Sequence, residues 1–546
     1  MNLFTRYIKK NLKILLILII GILLRFYMLG SIPSVLNRDE AAIGYNAYSL
    51  LETGRDEFGE KWPLVFKSFG DYKMPGYIYL IIPIIKFLNL NNFSVRLLSA
   101  ICGSLNILVI YWLAEECFKN KKISLYSAFG LAVSPWAVFY SRIAFETNVA
   151  ILFISTSFLL LFKGLKKSWL WLISAVLMII SLFTYNHSFL VIPVMLIVFF
   201  GLYYKKIFLK KNIVHALIAF MIIGAGGLLA YKNIWQINQA KSIIAVYNDP
   251  FIHQEWVDQR VFHENLAKNN KGQYFFYKIT DNQYTYYGKI IFTNILKNFS
   301  PIFLTIRDSR LIWNGVQGIG FFYYIDLIFI VIGLIILLKN RKNKKSLFLI
   351  SLLLAGTFPS ALTIHQAHPN RSLNMFWGLY LVIGLGINYL LKKNYKKINI
   401  FIGIIYFLSI LLMIERYFVF QPKNYTTAWF NKVDQSITTI NNLNPNEIIL
   451  SQNLDEIYIF YLFYSKYPPL LFQKTVIRTR DNSGFYTVHG FGNIRIKLLR
   501  DFSDFNQEKM IVLGSSKDRF LLEKGNGGSK IVNPFNSDLF YRYFNY

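Results

Sequence analysis

The chain contains a succession of apolar runs that are separated by short, lysine-rich stretches. Backbone groups inside a bilayer must be hydrogen-bonded within their own segment, so long apolar runs predict spanning helices. A spanning helix needs roughly 20 apolar residues, and this criterion predicts about eleven spans. The predicted spans lie near residues 14–30, 93–114, 123–140, 148–163, 169–185, 188–204, 213–231, 321–338, 346–363, 373–391 and 398–414.

The basic residues predict the orientation of these spans. Cytoplasmic loops are enriched in Lys and Arg, and the basic clusters fall in the N-terminal tail and in alternate loops. These loops lie near residues 119–122, 163–167, 205–211, 339–345 and 392–397. The pattern predicts a multi-pass plasma-membrane protein with a cytoplasmic N-terminus. Three long segments are then outside the cell: 31–92, 232–320 and 415–546.

Composition supports a membrane protein. The chain is 54% hydrophobic and only 16% charged, whereas soluble proteins carry roughly 25% charged residues. The net charge of +30 first suggests a nucleic-acid partner. The basic residues lie in short loops between apolar runs instead, which excludes that class. The two cysteines, Cys102 and Cys117, lie in or beside one apolar run, where we expect them to pack rather than to form a metal or disulfide framework.

The first outer segment begins with the polar stretch Arg38-Asp39-Glu40. Asn37 can cap a helix whose third position is Glu40, which is a capping-box pattern. An apolar face follows, and Gly54 is expected to end the helix. A second amphipathic run follows Pro75, from residue 77 to 87. Both helices are expected to lie along the membrane surface.

The last outer segment has a different pattern from the rest of the chain. It predicts helices at 425–441 and 455–465 and strands at 447–452 and 510–513. We therefore expect an all-α transmembrane core over residues 1–414 and a small extracytoplasmic α/β domain over residues 415–546.

Two adjacent carboxylates, Asp39 and Glu40, are candidate catalytic groups. A carboxylate at the membrane surface is readily tuned to act as a base. Glu40 can equally be the capping-box partner, and Asp39 can stabilise the helix dipole. Glu146 is either a further carboxylate of the same site or the i,i+4 partner of Arg142.

Three cations, Lys73, Arg142 and Arg371, lie in outer loops, where the orientation rule does not require positive charge. A lipid phosphate lies at this depth, and both Arg and Lys bind phosphate. The alternative is that these side chains reach to the lipid headgroups. His365 and His368 flank a tight outer loop and are candidate ligands of a divalent metal or of the substrate, although the motif contains no acidic ligand.

Several of these stretches form a continuous pattern in the first 150 residues. They are Asp39-Glu40 and residues 44–48, 54–59, 68–75, 95–99 and 141–146, with Arg371-Ser372 later in the chain. The pattern resembles bacterial polyprenyl-phosphate-sugar-dependent glycosyltransferases of the GT-C fold. These are relatives of the dolichyl-phosphate-mannose protein mannosyltransferases and of the lipid A aminoarabinose transferase. The resemblance covers roughly residues 10–415.

The resemblance implies an inverting transfer of a sugar from a polyprenyl-phosphate donor on the outer face of the membrane. Asp39 matches the acidic catalytic position, Glu40 its neighbour and Glu146 the second acidic site. Lys73 and Arg371 match the cations that hold the donor phosphate. The mid-chain outer segment is too short for the trefoil domain of the eukaryotic enzymes, so the acceptor stays open among a lipid, a glycan and a protein.

Two other classes remain open. A polytopic transporter or flippase of lipid-linked sugars would carry its binding groups near the bilayer midplane. Here the spans carry almost no midplane charge and the polar groups gather in outer loops, which favours the enzyme. The third class is a non-catalytic scaffold that acts through residues 415–546.

Overall fold

The computed structural model of the protein describes most of the chain. The described residues are 3–69, 71–242, 245–267, 271–306, 314–364, 367–392, 395–424, 432–480, 486–499, 510–515, 517–518, 529–532 and 539–544.

Helices dominate the described part of the chain. They are α1 (Leu3–Phe26), α2 (Arg38–Thr53), α3 (Pro75–Leu88), α4 (Asn92–Phe118), α5 (Lys121–Val133), α6 (Pro135–Ser141), α7 (Glu146–Gly164), α8 (Leu170–Thr184), α9 (Ser188–Ile207), α10 (Lys210–Ser242), α11 (Pro250–Leu266), α12 (Lys271–Thr280), α13 (Gln283–Asn298), α14 (Pro301–Thr305), α15 (Tyr324–Lys339), α16 (Lys344–Ala355), α17 (Phe358–Ala361), α18 (Leu373–Lys392), α19 (Lys396–Ile414), α20 (Gln421–Asn424), α21 (Val433–Asn442), α22 (Ile457–Tyr464) and α23 (Pro469–Thr475).

Every predicted span contains a helix, but the helices differ in length. Six helices of the described residues are long and apolar enough to cross a membrane, or seven if the bent pair α5–α6 forms one span. Helices of this kind indicate a polytopic membrane protein. Others, such as α8 and α16, are shorter than a full crossing requires. The count of about eleven spans therefore stays a prediction.

The chain divides into two compact units. The first unit contains Met1–Gly21, Leu105–Ala137 and Ala150–Leu411. Its central helix is α18, which packs against α5, α15 and α16. The residues of α18 from Leu373 to Ile387 are all buried. A helix that is apolar on every side is stable only when other helices surround it, as they do here.

The second unit contains Ile22–Ser104, Val138–Val149 and Leu412–Tyr546. Its helix α2 begins and ends where the sequence predicts. Asn37 and Glu40 form the capping box of α2, and Gly54 ends the helix with a left-handed φ of 69°. Two short strands, β1 (Phe66–Ser68) and β2 (Asp71–Lys73), then form an antiparallel hairpin. Helix α3 begins at Pro75, a residue suited to a first helical position.

The C-terminal part of the second unit contains a seven-stranded sheet with the strand order β4-β5-β6-β3-β7-β9-β8. The strands are β3 (Glu447–Ser451), β4 (Ile477–Arg480), β5 (Tyr486–Phe491), β6 (Ile494–Lys497), β7 (Met510–Ser515), β8 (Ser529–Val532) and β9 (Leu539–Phe544). The central strand β3 runs parallel to β6 and β7. Its apolar residues are buried, as expected of a central parallel strand.

This sheet and its helices belong to the same unit as the first outer segment. Helix α2 packs against α3, α22 and α23. Leu36 and Tyr45 are hydrogen-bonded to Tyr464 and Tyr467, respectively. The predicted domain boundary at residues 414 and 415 stays a prediction.

Candidate functional site

The candidate site lies at the N-terminal end of α2. Asp39 is in the first turn, where its carboxylate is favoured by the helix dipole. Lys73 ends strand β2, and the hairpin register pairs it with Phe66. Its Nζ atom lies 2.7 Å from Oδ1 of Asp39. The Asp39 side chain is 41% exposed and that of Lys73 is 11% exposed, so the carboxylate is accessible at the protein surface.

A second ion pair lies beside the first. Arg38 Nη1 donates to Asp455 Oδ2 at 2.6 Å, and the Arg38 guanidinium lies over the Phe69 ring. Glu456 follows Asp455 in a left-handed conformation with φ 50°. Burial and the neighbouring Asp455 raise the pKa of Glu456 to about 7. A carboxyl group with a raised pKa, that of Glu456, thus follows the Arg38–Asp455 ion pair in the chain.

Glu40 is buried and hydrogen-bonded on both carboxylate oxygens. Its carboxylate is fully buried and accepts hydrogen bonds from Arg96 Nε, Arg96 Nη2 and the Ala144 backbone N–H. It also accepts from the Asn37 backbone N–H in the capping box. A carboxylate held in this way is neither exposed nor able to approach a substrate. The catalytic role of Glu40 stays a prediction, and these contacts favour the alternative of a capping-box partner.

The guanidinium of Arg142 is likewise fully hydrogen-bonded. Its five guanidinium N–H groups donate to the Tyr417 hydroxyl and to four backbone carbonyls, and the side chain is fully buried. The guanidinium also lies over the rings of Tyr417 and Phe418. These contacts leave no donor for a phosphate. We propose a structural role for Arg142 in place of the predicted donor-phosphate ligand.

Glu146 begins α7 and belongs to the same unit as Asp39. Its side chain is partly exposed. The charges of Glu146 and Glu40 both act on Tyr77 of α3. The role of Glu146 as a second carboxylate of the site stays a prediction.

The candidates Arg371 and His368 belong to the first unit. Arg371 ends a short 3₁₀ turn before α18, and its Nη1 donates to Thr363 Oγ1 at 2.6 Å. The backbone N–H of His368 donates to Ser360 Oγ. His365 lies outside the described residues. The roles of these three residues stay predictions.

Among the described residues, no group of three or more His, Cys, Asp or Glu side chains could hold a metal ion. Cys102 and Cys117 are free and buried.

Arg96 and Glu57 are buried polar residues of the second unit that are not among the predicted site residues. Arg96 is the partner of Glu40, and it lies near the start of α4, beside the end of a predicted span as Arg142 does. Glu57 is 1% exposed and accepts hydrogen bonds from Asn46 and Tyr458. Burial raises the pKa of Glu57 to about 7, although Asn46 and Arg478 oppose the shift. No local pattern distinguishes Glu57 from an exposed loop acid.

Comparison with known proteins supports the fold. A family model described as dolichyl-phosphate-mannose-protein mannosyltransferase matches residues 73–229. Curated protein sequences contain no match to the chain. The structure of ArnT from Cupriavidus metallidurans bound to undecaprenyl phosphate superposes with a TM-score of 0.53 at 11% identity, covering 98% of each chain. This similarity shows that the chain has the GT-C fold.

A second group of structures is similar over part of its length. The Archaeoglobus fulgidus oligosaccharyltransferase in complex with Zn and sulfate has a TM-score of 0.49 at 12% identity. The match covers 83% of this chain and 61% of the oligosaccharyltransferase. The present chain thus spans about three fifths of that protein.

Proposed function

We propose that this protein is a membrane glycosyltransferase that moves a sugar from a polyprenyl-phosphate donor to an acceptor on the outer face of the membrane. The observation that carries the proposal is the Asp39–Lys73 pair at 2.7 Å, placed in a fold shared with a protein crystallised with undecaprenyl phosphate. The match of residues 73–229 to the mannosyltransferase family model supports the same class.

Asp39 and Lys73 have complementary roles in this reaction. Asp39 takes the proton of the acceptor hydroxyl as the acceptor oxygen attacks the anomeric carbon. The bond from that carbon to the phosphate oxygen breaks, and its electron pair leaves with the phosphate. The Lys73 ammonium stabilises the negative charge that develops on the phosphate. Attack on the face opposite the phosphate inverts the anomeric centre.

The other predicted residues are tested separately. We propose Glu146 as a second carboxylate for acceptor orientation and Arg371 as a further cation for the donor phosphate. Arg371→Gln should raise the KM for the donor, and Glu146→Gln should lower kcat. His365 and His368 are tested by adding and removing divalent metal, because activity that survives chelation excludes a metal role for them.

The proposal is tested by transfer from a radiolabelled polyprenyl-phosphate sugar in proteoliposomes. Asp39→Asn should abolish product formation, and Lys73→Met should reduce it strongly, with expression and detergent behaviour unchanged. Glu52→Gln, an exposed acid on α2, and Lys67→Met, on the same hairpin, are the matched controls. Retained turnover by Asp39→Asn would refute the assignment.

The same assay distinguishes the other classes. Movement of the labelled lipid across the bilayer without a glycoside product would identify a flippase. Donor binding without either process would identify a scaffold. Mass spectrometry of cell-surface glycans, with and without the protein, then identifies the sugar and the acceptor.

A further inference from the structure

A buried carboxyl group joins the first outer segment to the C-terminal part of the second unit. Glu57 lies in the loop after α2 and is 1% exposed. Asn46 of α2 donates to its Oε1 at 3.0 Å, and the Tyr458 hydroxyl of α22 donates to its Oε2 at 3.3 Å. Both carboxyl oxygens thus have a partner, and the partners come from two different parts of the chain.

The backbone N–H and carbonyl of Glu57 are also hydrogen-bonded. The Glu57 N–H donates to Asn46 Oδ1 at 3.0 Å, and its carbonyl accepts from Arg478 Nη2 at 3.1 Å. The Arg478 guanidinium lies 4.1 Å from the centre of the Phe58 ring. Helices α2 and α22 and strand β4 therefore meet at this one loop.

Tyr458 connects the loop to the hairpin that carries Lys73. Its ring contacts the Phe69 ring edge-on, with 6.1 Å between the ring centres. Phe69 lies in the turn between β1 and β2 and adopts a left-handed φ of 49°. A left-handed conformation is unfavourable for a bulky residue and persists only where the surroundings impose it. The guanidinium of Arg38, the residue before Asp39, also lies over the Phe69 ring.

The polar nature of this junction needs a physical reason. Burying a carboxyl group is unfavourable compared with burying an apolar side chain of similar size. Apolar packing is non-directional, whereas hydrogen bonds fix the relative orientation of the groups they join. A polar junction at this loop is therefore suited to hold the hairpin in one position.

We infer that Glu57 and Tyr458 are positioning residues, which hold the β1–β2 hairpin through Phe69 so that the Lys73 ammonium meets Asp39. Neither residue needs to touch the substrate to act in this way. The expectation that a correctly placed Lys73 binds the donor phosphate rests on the proposed function. The position of Lys73 does not depend on the proposed function, so it can be measured without knowledge of the reaction.

The first experiment measures the reactivity of the Lys73 amine. The detergent-solubilised full chain is treated with a water-soluble acylating reagent, and the labelling rate of Lys73 is followed by mass spectrometry. Tyr458→Phe should raise the rate about five-fold, the factor expected for the loss of one hydrogen bond. Tyr461→Phe is the matched control, because it removes a buried hydroxyl of the same helix that donates to Asn441 instead.

Two further variants keep the test decisive. Glu57→Gln can retain both hydrogen bonds and should label like the wild type. Phe69→Leu removes the ring that Tyr458 contacts and should label faster, even if Tyr458→Phe folds poorly. Equal Lys73 labelling in the Tyr458→Phe, Phe69→Leu and Tyr461→Phe proteins would overturn the inference.

The second experiment measures binding of undecaprenyl phosphate to the same proteins. Tyr458→Phe should weaken binding about five-fold relative to Tyr461→Phe. The variants could change the labelling of Lys73 while the wild-type protein binds no undecaprenyl phosphate. That result would support the positioning role and count against the proposed function. Unchanged labelling counts against the positioning role whatever the binding result.

Discussion

Two neighbouring acids of α2 have different environments. Glu40 is fully buried against Arg96, whereas the Asp39 side chain is 41% exposed beside Lys73. The helix period accounts for the difference, because adjacent positions are rotated by about 100° and so face different surroundings. Arg142 lies between α6 and α7, and its five donors are all satisfied inside the second unit. Of these charged groups, Glu40 and Arg142 are buried, and Asp39 is partly exposed.

Glu40→Gln should destabilise the protein without a selective effect on catalysis. The substitution leaves the Arg96 guanidinium buried without its counter-charge, and breaking such a pair destabilises by about 3–5 kcal/mol. The free energy of unfolding in detergent measures the effect. The exposed Glu52→Gln should stay within about 0.5 kcal/mol of the wild type. A Glu40→Gln protein of wild-type stability that has lost transfer would restore the catalytic role.

Glu57 predicts a pH dependence of stability. Burial raises its pKa from 4.5 to about 7, so the folded protein binds this proton more tightly than the unfolded chain does. The stabilising contribution is fully present below pH 4.5 and is lost as the pH rises through about 7. Glu57→Gln should therefore be more stable than the wild type at pH 8, by up to about 3 kcal/mol.

The comparison needs measurements at two pH values. The groups that face Glu57 are Tyr45, Asp56, Glu456, Tyr458 and Arg478, and all of them are retained in the variant. At pH 4.5 the two proteins should have similar free energies of unfolding, because Glu57 is then mostly neutral. An equal difference at both pH values would contradict a shifted pKa of Glu57.

At the scale of elements, helix α2 was predictable because its signals are local. Asn37 and Glu40 form the capping box, and Gly54 supplies the left-handed end. Its packing partner was not predictable, because α22 lies some four hundred residues further along the chain. Gly44 makes the close approach of the two helices possible. A Cβ atom at Gly44 would lie 2.6 Å from the Phe463 ring and 2.8 Å from Val95 Cγ2.

Gly44→Ala should therefore destabilise the second unit by about 1–3 kcal/mol, because the buried Phe463 and Val95 would have to move. The control is Gly201→Ala in α9, where a Cβ atom would meet nothing within 4 Å. The control should be neutral or slightly stabilising, since alanine favours helices. Thermal unfolding of both variants in detergent tests the prediction, and equal melting temperatures would contradict it.

At the scale of the whole molecule, the alternating basic loops predict which side of the membrane each segment occupies. The native cysteines are buried, so single introduced cysteines report their own positions. A membrane-impermeant maleimide should label Glu60→Cys in intact cells and should label Lys342→Cys only after permeabilisation. Both positions are exposed. Labelling of Lys342→Cys in intact cells would reverse the predicted orientation and remove the outer site.

The sequence by itself determined the helical membrane class, the bounds of α2 and the choice of Asp39 and of Lys73 as separate candidate residues. These features depend on hydrophobicity, capping and charge, which act over a few residues or one turn. Only the tertiary structure decided that Lys73 meets Asp39, that Glu40 and Arg142 are buried, and that Tyr458 reaches Glu57 and Phe69. The physical reason is that desolvation and partner choice depend on contacts between residues far apart in the chain, and no local pattern carries that information.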